Sequence, residues 1–430
     1  MRHNKFFQTT FILLIGGLIT KILGFIIKII YTRFIGEAGL GLYMLVFPTY
    51  SLLLTIAQLG LPIAISKLVA EERQSSQKIV FSIIPVMIGL NILVIVTMIF
   101  VSPFIADVLL KQSDATGLLI ACALTLPFIS LSSILKGYFY GKQKMMPHTV
   151  SNILEQIVRL ILIILIIPFL LEINLIVTLI GLILLNIVSE IVSIIVFLFF
   201  LPKKFVIKKD DIKPDGETIK EIARVSLPTV SSRFIGNVGY FFEPIILTNL
   251  LLWSGYSAQY VLLQYGIYNG YVLGILLLPS FFSMAISSSL VPEISKFFSA
   301  KNMVMVKRRC KQALGLSLLV GLTLSSIIFI FTEELLAIIF NTSSGITYIK
   351  VLAPVFVLFY IEGPLISILQ AIGKAKISMK ITLYGIIIKL VVMAILSLCQ
   401  IGIYSLIIAE IVNILFVVGF NYKNVRKFIY

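Results

Sequence analysis

The sequence predicts an all-α membrane protein of about twelve transmembrane helices, arranged as two six-helix lobes related by a pseudo-two-fold axis along the membrane normal, with a central cavity. Three observations predict it. The 430 residues are 59% hydrophobic and only 13% charged, with a mean hydropathy of +1.09, whereas charged residues make up about a quarter of a soluble domain. Apolar stretches long enough to cross about 30 Å of hydrocarbon recur along the whole chain with short gaps. Short sequence patterns also repeat at about half the chain length.

Taken in order, the predicted spans are 9–32, 41–66, 79–101, 117–140, 149–171, 174–201, 225–252, 264–291, 312–331, 351–371, 381–399 and 402–422. The first follows Arg2 and Lys5, as a signal peptide would, but it exceeds 20 residues, contains two lysines and lacks a small-residue cleavage site, so a retained helix is expected. Span four runs through Ser133-Ile134-Leu135 into Gly141-Lys142-Gln143-Lys144, and span ten through Ser367-Ile368-Leu369 into Gly373-Lys374-Ala375-Lys376. Ala64-Ile65-Ser66 and Ala285-Ile286-Ser287 form a weaker second echo. Each repeat holds an even number of spans, so both halves share one orientation, as in parallel-repeat transporters. The expected organisation is an N-terminal lobe at 1–202, a cytoplasmic linker at 203–222 and a C-terminal lobe at 223–430. Pro48, Pro62, Pro228, Pro244 and Pro279 fall in the first two spans of one half or the other and are candidates for kinks, functional or inert.

Lysines and arginines outside the spans set the orientation. With the N terminus inside, 26 lie in cytoplasmic segments, and only Arg33, Lys111 and Lys350 lie outside. A multi-pass protein of the cell membrane with both termini cytoplasmic is expected. The net charge of +16 then reflects sorting and attraction to anionic membrane lipids rather than to nucleic acid. Cys122, Cys310 and Cys399 are isolated and suggest neither a disulfide nor a metal site. His3 and His148 are the two histidines, and no HExxH, GxSxG or Walker A pattern is present, so no enzyme and no cofactor is expected.

Eleven ionisable residues fall within the spans: Lys21, Lys28, Lys136, Glu155, Arg159, Glu190, Arg233, Glu243, Glu362, Lys389 and Glu410. Each costs at least about 2.5–3.5 kcal/mol at the bilayer centre unless it faces protein or water, which points to a polar interior. Lys21 and Lys28 are two helical turns apart and share one stripe. Arg233, in the counterpart of span one, adds a third cation. Together they suit a phosphate or diphosphate, because lysine offers a compact charge and arginine a planar fork of donors. The alternative is that the cations neutralise the intramembrane carboxylates. Lys28 and Lys136 also lie near span ends, where they can snorkel. The four-residue spacing of Glu155 and Arg159 predicts a local ion pair. Glu190, Glu243, Glu362 and Glu410, with Lys389, are candidates for ion pairing or for proton or sodium coupling.

The stretches Thr20-Lys21-Ile22-Leu23-Gly24-Phe25, Arg33-Phe34-Ile35-Gly36, Gly39-Leu40-Gly41-Leu42-Tyr43 and Leu59-Gly60-Leu61-Pro62-Ile63-Ala64-Ile65-Ser66-Lys67 resemble the polysaccharide-biosynthesis branch of the multidrug/oligosaccharidyl-lipid/polysaccharide exporter superfamily, nearest to its stage V sporulation protein B-like flippases. The resemblance covers essentially the whole chain and is most specific in these opening stretches. It implies alternating access around a cavity, with Lys21 and Lys28 in the stretch where relatives place cavity-lining basic residues. It also implies export of an undecaprenyl-diphosphate-linked saccharide, such as a peptidoglycan or polysaccharide precursor, in cell-wall synthesis or sporulation. One departure is that lipid II flippases of this type usually carry fourteen spans. Two other readings remain: a cation-coupled multidrug antiporter of the same superfamily, whose cationic substrates a lysine-lined cavity would repel, and a non-transporting membrane scaffold for cell-wall synthases.

Overall fold

The computed structural model describes residues 2–72, 75–202 and 215–429. Among them the ordered elements are all helical: α1 (Arg2–Gln58), α2 (Leu61–Glu71), α3 (Ser76–Pro103), α4 (Ala115–Gly141), α5 (Met145–Ile173), α6 (Leu175–Phe199), α7 (Gly216–Trp253), α8 (Ala258–Gly266), α9 (Leu273–Leu276), α10 (Ser280–Ser299), α11 (Met303–Ile330), α12 (Thr332–Phe340), α13 (Ile346–Ala371), α14 (Ala375–Ser397) and α15 (Tyr404–Ile429). A π-helical turn at Phe104–Leu109 extends α3, and another at Ile267–Val272 joins α8 to α9. Most of the linker expected at 203–222 falls on residues 203–214, outside the described residues.

Ten helices among the described residues are long and apolar enough to cross a membrane, and a bent pair, Ala258–Leu276 with Ser280–Ser299, makes eleven. The pair turns by 56° just before Pro279 and Ser280, where the proline lacks the N–H that a continuous helix would need. The twelfth span comes from α1. At 57 residues it would extend about 85 Å if straight, far beyond one bilayer core. It is broken at Gly36, whose φ of 63° and ψ of −171° are non-helical and suit a residue without a Cβ. The first two predicted spans are thus the two arms of α1. The second arm breaks again at Leu59 and Gly60, both with positive φ, and the chain restarts as α2 with Pro62 in its first turn, a position where a missing N–H costs nothing.

Contacts divide the chain into two compact units, Met1–Phe241 and Phe242–Tyr430, with the division inside α7. In the first unit α4 is the central helix, packed by α1, α2, α3 and α6. Its last turns approach α2 closely because Gly137 and Gly141 carry no side chain. A Cβ on Gly141 would sit 2.6 Å from Val69 Cβ and 2.8 Å from the Ser66 carbonyl oxygen. Gly141→Ala is therefore expected to lower stability by about 1–3 kcal/mol from overpacking, in spite of its better helix propensity, and a thermal melt in detergent reads the loss directly. In the second unit α13 takes the central place among α10, α11 and α15. The Tyr360 hydroxyl donates to the Leu276 carbonyl at 2.6 Å, and Ser283 Oγ donates to the Tyr360 carbonyl at 2.6 Å, satisfying polar groups that lipid could not.

The start of α7 belongs to the first unit. Ile222 is buried, and Ile219 and Val225 pack beside it against Ile79, Val80 and Ile83 of α3 and Phe197 of α6. Asp215 caps this helix: its Oδ2 accepts from Thr218 Oγ1 at 2.5 Å and lies 3.0 Å from Lys78 Nζ. These bonds, Thr218 first and Lys78 next, hold the Asp215 carboxyl below its ordinary range. The cap therefore helps fully above the unfolded value, about pH 3.9, and its help is lost as pH falls through the lower folded value. Asp215→Asn should lower the protection factors of the amides over 216–222 at neutral pH and remove the loss of protection that acidification causes in the wild type.

Candidate functional site

A cavity of about 340 Å³ opens in the first unit where α1 gives way to α2. Thr55 and Gln58 come from the end of α1, Gly60 and Pro62 from the break, Ser133, Lys136 and Tyr140 from α4, His148 from α5, and Arg233 from α7. The α4 residues share one face because they recur at helical spacing. The break matters electrostatically as well as sterically. It places the N-terminal end of α2, an eleven-residue helix with a partial positive charge at that end, at the cavity wall.

The cations are set by different partners. Lys136 Nζ lies 3.7 Å from Glu155 Oε2, while Arg159 Nη2 lies 3.0 Å from the other oxygen of the same buried carboxylate. The local pair expected of Glu155 and Arg159 is thus part of a three-residue cluster. Lys136 was expected to snorkel to the headgroups, and the structure corrects this. The lysine is more than a turn inside the end of α4, and the buried Glu155 carboxylate is the nearer partner for its charge. Arg233 makes no ion pair among the described residues, so its guanidinium brings uncompensated charge to the cavity. It is placed by Asn237 one turn on, whose amide donates to the Ser51 carbonyl at 3.1 Å and to Thr55 Oγ1 at 2.5 Å, fastening α7 to α1. Beside Lys136 on the same face of α4, Tyr140 Oη lies 2.6 Å from His148 Nε2, and Asn152 Nδ2 is 3.2 Å from the same nitrogen. The cavity can accept an anionic, hydroxyl-bearing group: two basic side chains and a helix N-terminus line it together with neutral donors and acceptors.

The structure brings Arg233 together with Lys136 rather than with the other predicted cations. Lys21 and Lys28 remain on one stripe of the first arm of α1, Lys21 exposed and Lys28 half-buried, and neither lines this cavity. That arm packs along α5, with Gly16 against Thr149 and Gly24 near Gln156. Gln58, Tyr140 and His148 were not singled out from the sequence. The Leu59-Gly60-Leu61-Pro62 break was the available signal, since a helix interrupted within a membrane must expose its end to protein or water.

The second unit holds a different arrangement. Lys389 Nζ on α14 lies 2.6 Å from Glu243 Oε2 on α7 and 2.5 Å from Glu410 Oε2 on α15. The Tyr265 hydroxyl donates to Glu243 Oε1 at 3.2 Å. One ammonium thus bridges the buried Glu243 carboxylate and the half-buried Glu410 carboxylate and ties three helices together. Glu362 of α13 is half-buried. Glu190, on α6 of the first unit, is buried, and its Oε2 has no hydrogen-bond partner among the described residues. No group of three or more histidine, cysteine or acidic side chains suited to a metal occurs among the described residues. Cys122 and Cys310 are buried, and Cys399 is exposed.

Comparison with known proteins places this geometry in a family. The model of the family described as polysaccharide biosynthesis protein matches residues 6–298, and that of the MatE family matches 244–395. The chain is 36% identical over 399 residues to stage V sporulation protein B of Bacillus subtilis, covering 90% of this chain and 77% of that protein. It is 24% identical over 426 residues to lipid II flippase MurJ of the same organism, covering 90% and 76% of the two chains. Among solved structures, an inward-facing multidrug resistance MATE family transporter of the MOP superfamily matches with a TM-score of 0.80 at 15% identity, covering 95% of this chain and 94% of that one, a likeness of fold. The extent of the first family match and the identity to the sporulation protein together show that the chain belongs to the polysaccharide biosynthesis protein family, a branch of the multidrug/oligosaccharidyl-lipid/polysaccharide exporter superfamily.

Proposed function

We propose that this protein flips an undecaprenyl-diphosphate-linked saccharide from the inner to the outer leaflet of the cell membrane by alternating access, with both termini cytoplasmic. The observation that carries the reading is the cavity lined both by Arg233, without an ion pair among the described residues, and Lys136, and by neutral hydrogen-bonding groups. A diphosphate needs the cations, and a sugar needs the donors and acceptors. The polyisoprenoid tail can stay in lipid, so only the head has to be solvated. The names of the two Bacillus relatives support a lipid-linked cell-wall precursor and a role in sporulation. Lys21 and Lys28, on the route along α1, are proposed to contact the same head group. Glu190, Glu243, Glu362 and Glu410 remain proposed carriers of a coupling proton or sodium ion.

The MatE match over 244–395 and the likeness to MATE structures favour a second reading, a cation-coupled multidrug antiporter. A cationic drug would be repelled by Arg233, which ranks that reading lower. The deciding experiment reconstitutes the protein in vesicles with a labelled lipid-linked disaccharide and measures transfer to the opposite leaflet alongside efflux of a cationic dye. Transfer well above that of empty vesicles, with dye efflux at background, supports the flippase. Transfer at background with active dye efflux sinks it.

A further inference from the structure

The two units treat one equivalent groove differently. In the first, the groove between the start of α3 and the end of α6, above α4, is filled by the chain itself: Ile219, Ile222 and Val225 provide an apolar face, and Asp215 provides an anion 3.0 Å from Lys78 at the start of α3. In the second, the matching groove lies between the start of α11 and the end of α15, above α13, and forms an open cavity of about 1040 Å³. Leu318, Leu358 and Leu415 line its apolar part, and Lys311 near the start of α11 and Arg426 in the last turn of α15 give it a basic end. Neither cation makes an ion pair among the described residues, and both are exposed. A Cβ built on Gly315 or Gly419 in the lining would meet nothing within 4 Å.

The filled groove shows what the open one accepts: an apolar body with an anionic group at the basic end. We propose that the groove between α11 and α15 holds an anionic glycerophospholipid, its phosphate between Lys311 and Arg426 and its acyl chains along α13. The volume is at the upper end of small-molecule sites, and phospholipid is the apolar anion always present beside a membrane-spanning helix. The positive-inside pattern assigns the basic end to the cytoplasmic leaflet, where anionic lipid provides the attraction. This site is separate from the Arg233 cavity and does not depend on which substrate that cavity takes.

The test is native mass spectrometry of the purified full-length protein with phosphatidylglycerol, phosphatidylcholine or undecaprenyl phosphate added at equal concentration. One retained phosphatidylglycerol is expected, preferred over phosphatidylcholine. K311E/R426E should weaken that retention roughly 30-fold or more, from the loss of two surface-charge attractions. G315L/G419L keeps the charges, adds side chains only where space is open and favours helix. It should displace the lipid while the protein elutes as wild type. Equal retention of both phospholipids, or retention unchanged in both variants, overturns the proposal. So does displacement of phosphatidylglycerol by undecaprenyl phosphate, which would give the groove to the substrate tail, or a dimer that only G315L/G419L dissociates, which would give it to a second copy.

Discussion

Lys389→Ala is expected to destabilise the second unit by about 3–5 kcal/mol, because it strands the buried Glu243 and half-buried Glu410 carboxylates, which share one ammonium at 2.6 and 2.5 Å. The loss should appear as a fall in melting temperature on the order of 10 °C in detergent, with reduced yield. The penalty comes from the unpaired charges left behind more than from the missing attraction. Removing those charges in the same protein should therefore restore much of the stability. Lys389→Met combined with Glu243→Gln and Glu410→Gln is expected to melt well above Lys389→Ala, since a neutral, well-packed set can match a buried ion pair. Melting of Lys389→Ala at the wild-type temperature would show that the triad does not hold α7, α14 and α15 together. The triad also bears on coupling: Glu243 and Glu410 both engage one tethered ammonium, whereas Glu362 and Glu190 make no ion pair among the described residues and become the stronger proposed carriers for a mobile cation.

The second large effect concerns transport. Arg233→Ala is expected to reduce transfer of the lipid-linked disaccharide in vesicles roughly 10- to 100-fold, the range for losing one or two hydrogen bonds to a charged group. Stability should change little, because the side chain is exposed and makes no ion pair among the described residues. Arg233→Lys keeps the charge but loses the planar fork, so it should recover only part of the rate. Lys136→Ala is a different case. Glu155 retains Arg159 at 3.0 Å, so transfer should fall without the collapse expected at Lys389. Wild-type transfer by Arg233→Ala would remove the cavity from the proposed pathway.

These two sites show unequal legibility. Glu155 and Arg159 were readable as a pair because both sit on one helix, where four-residue spacing alone fixes their approach. Lys389 was readable only as a charge that had to find a partner. Its carboxylates lie on α7 and α15, and hydropathy does not say which way either helix is turned about its axis. Lys136 shows the same limit from the other side. Position along the span suggested the headgroups, and the packing of α4 against α5 supplied Glu155 instead.

The sequence by itself determined the class of the protein, its about twelve spans in order, the proline at Pro62 as a kink candidate, and the presence of charges that demand a polar interior. Each of these follows from properties that accumulate along the chain: apolar length against bilayer thickness, and the backbone limits of proline. Only the tertiary structure decided that Arg233 meets Lys136 and His148, that Lys389 bridges Glu243 and Glu410, and that one groove is filled while its counterpart is open. Those outcomes depend on the rotation and tilt of helices distant in sequence, which side-chain packing sets and no local pattern encodes.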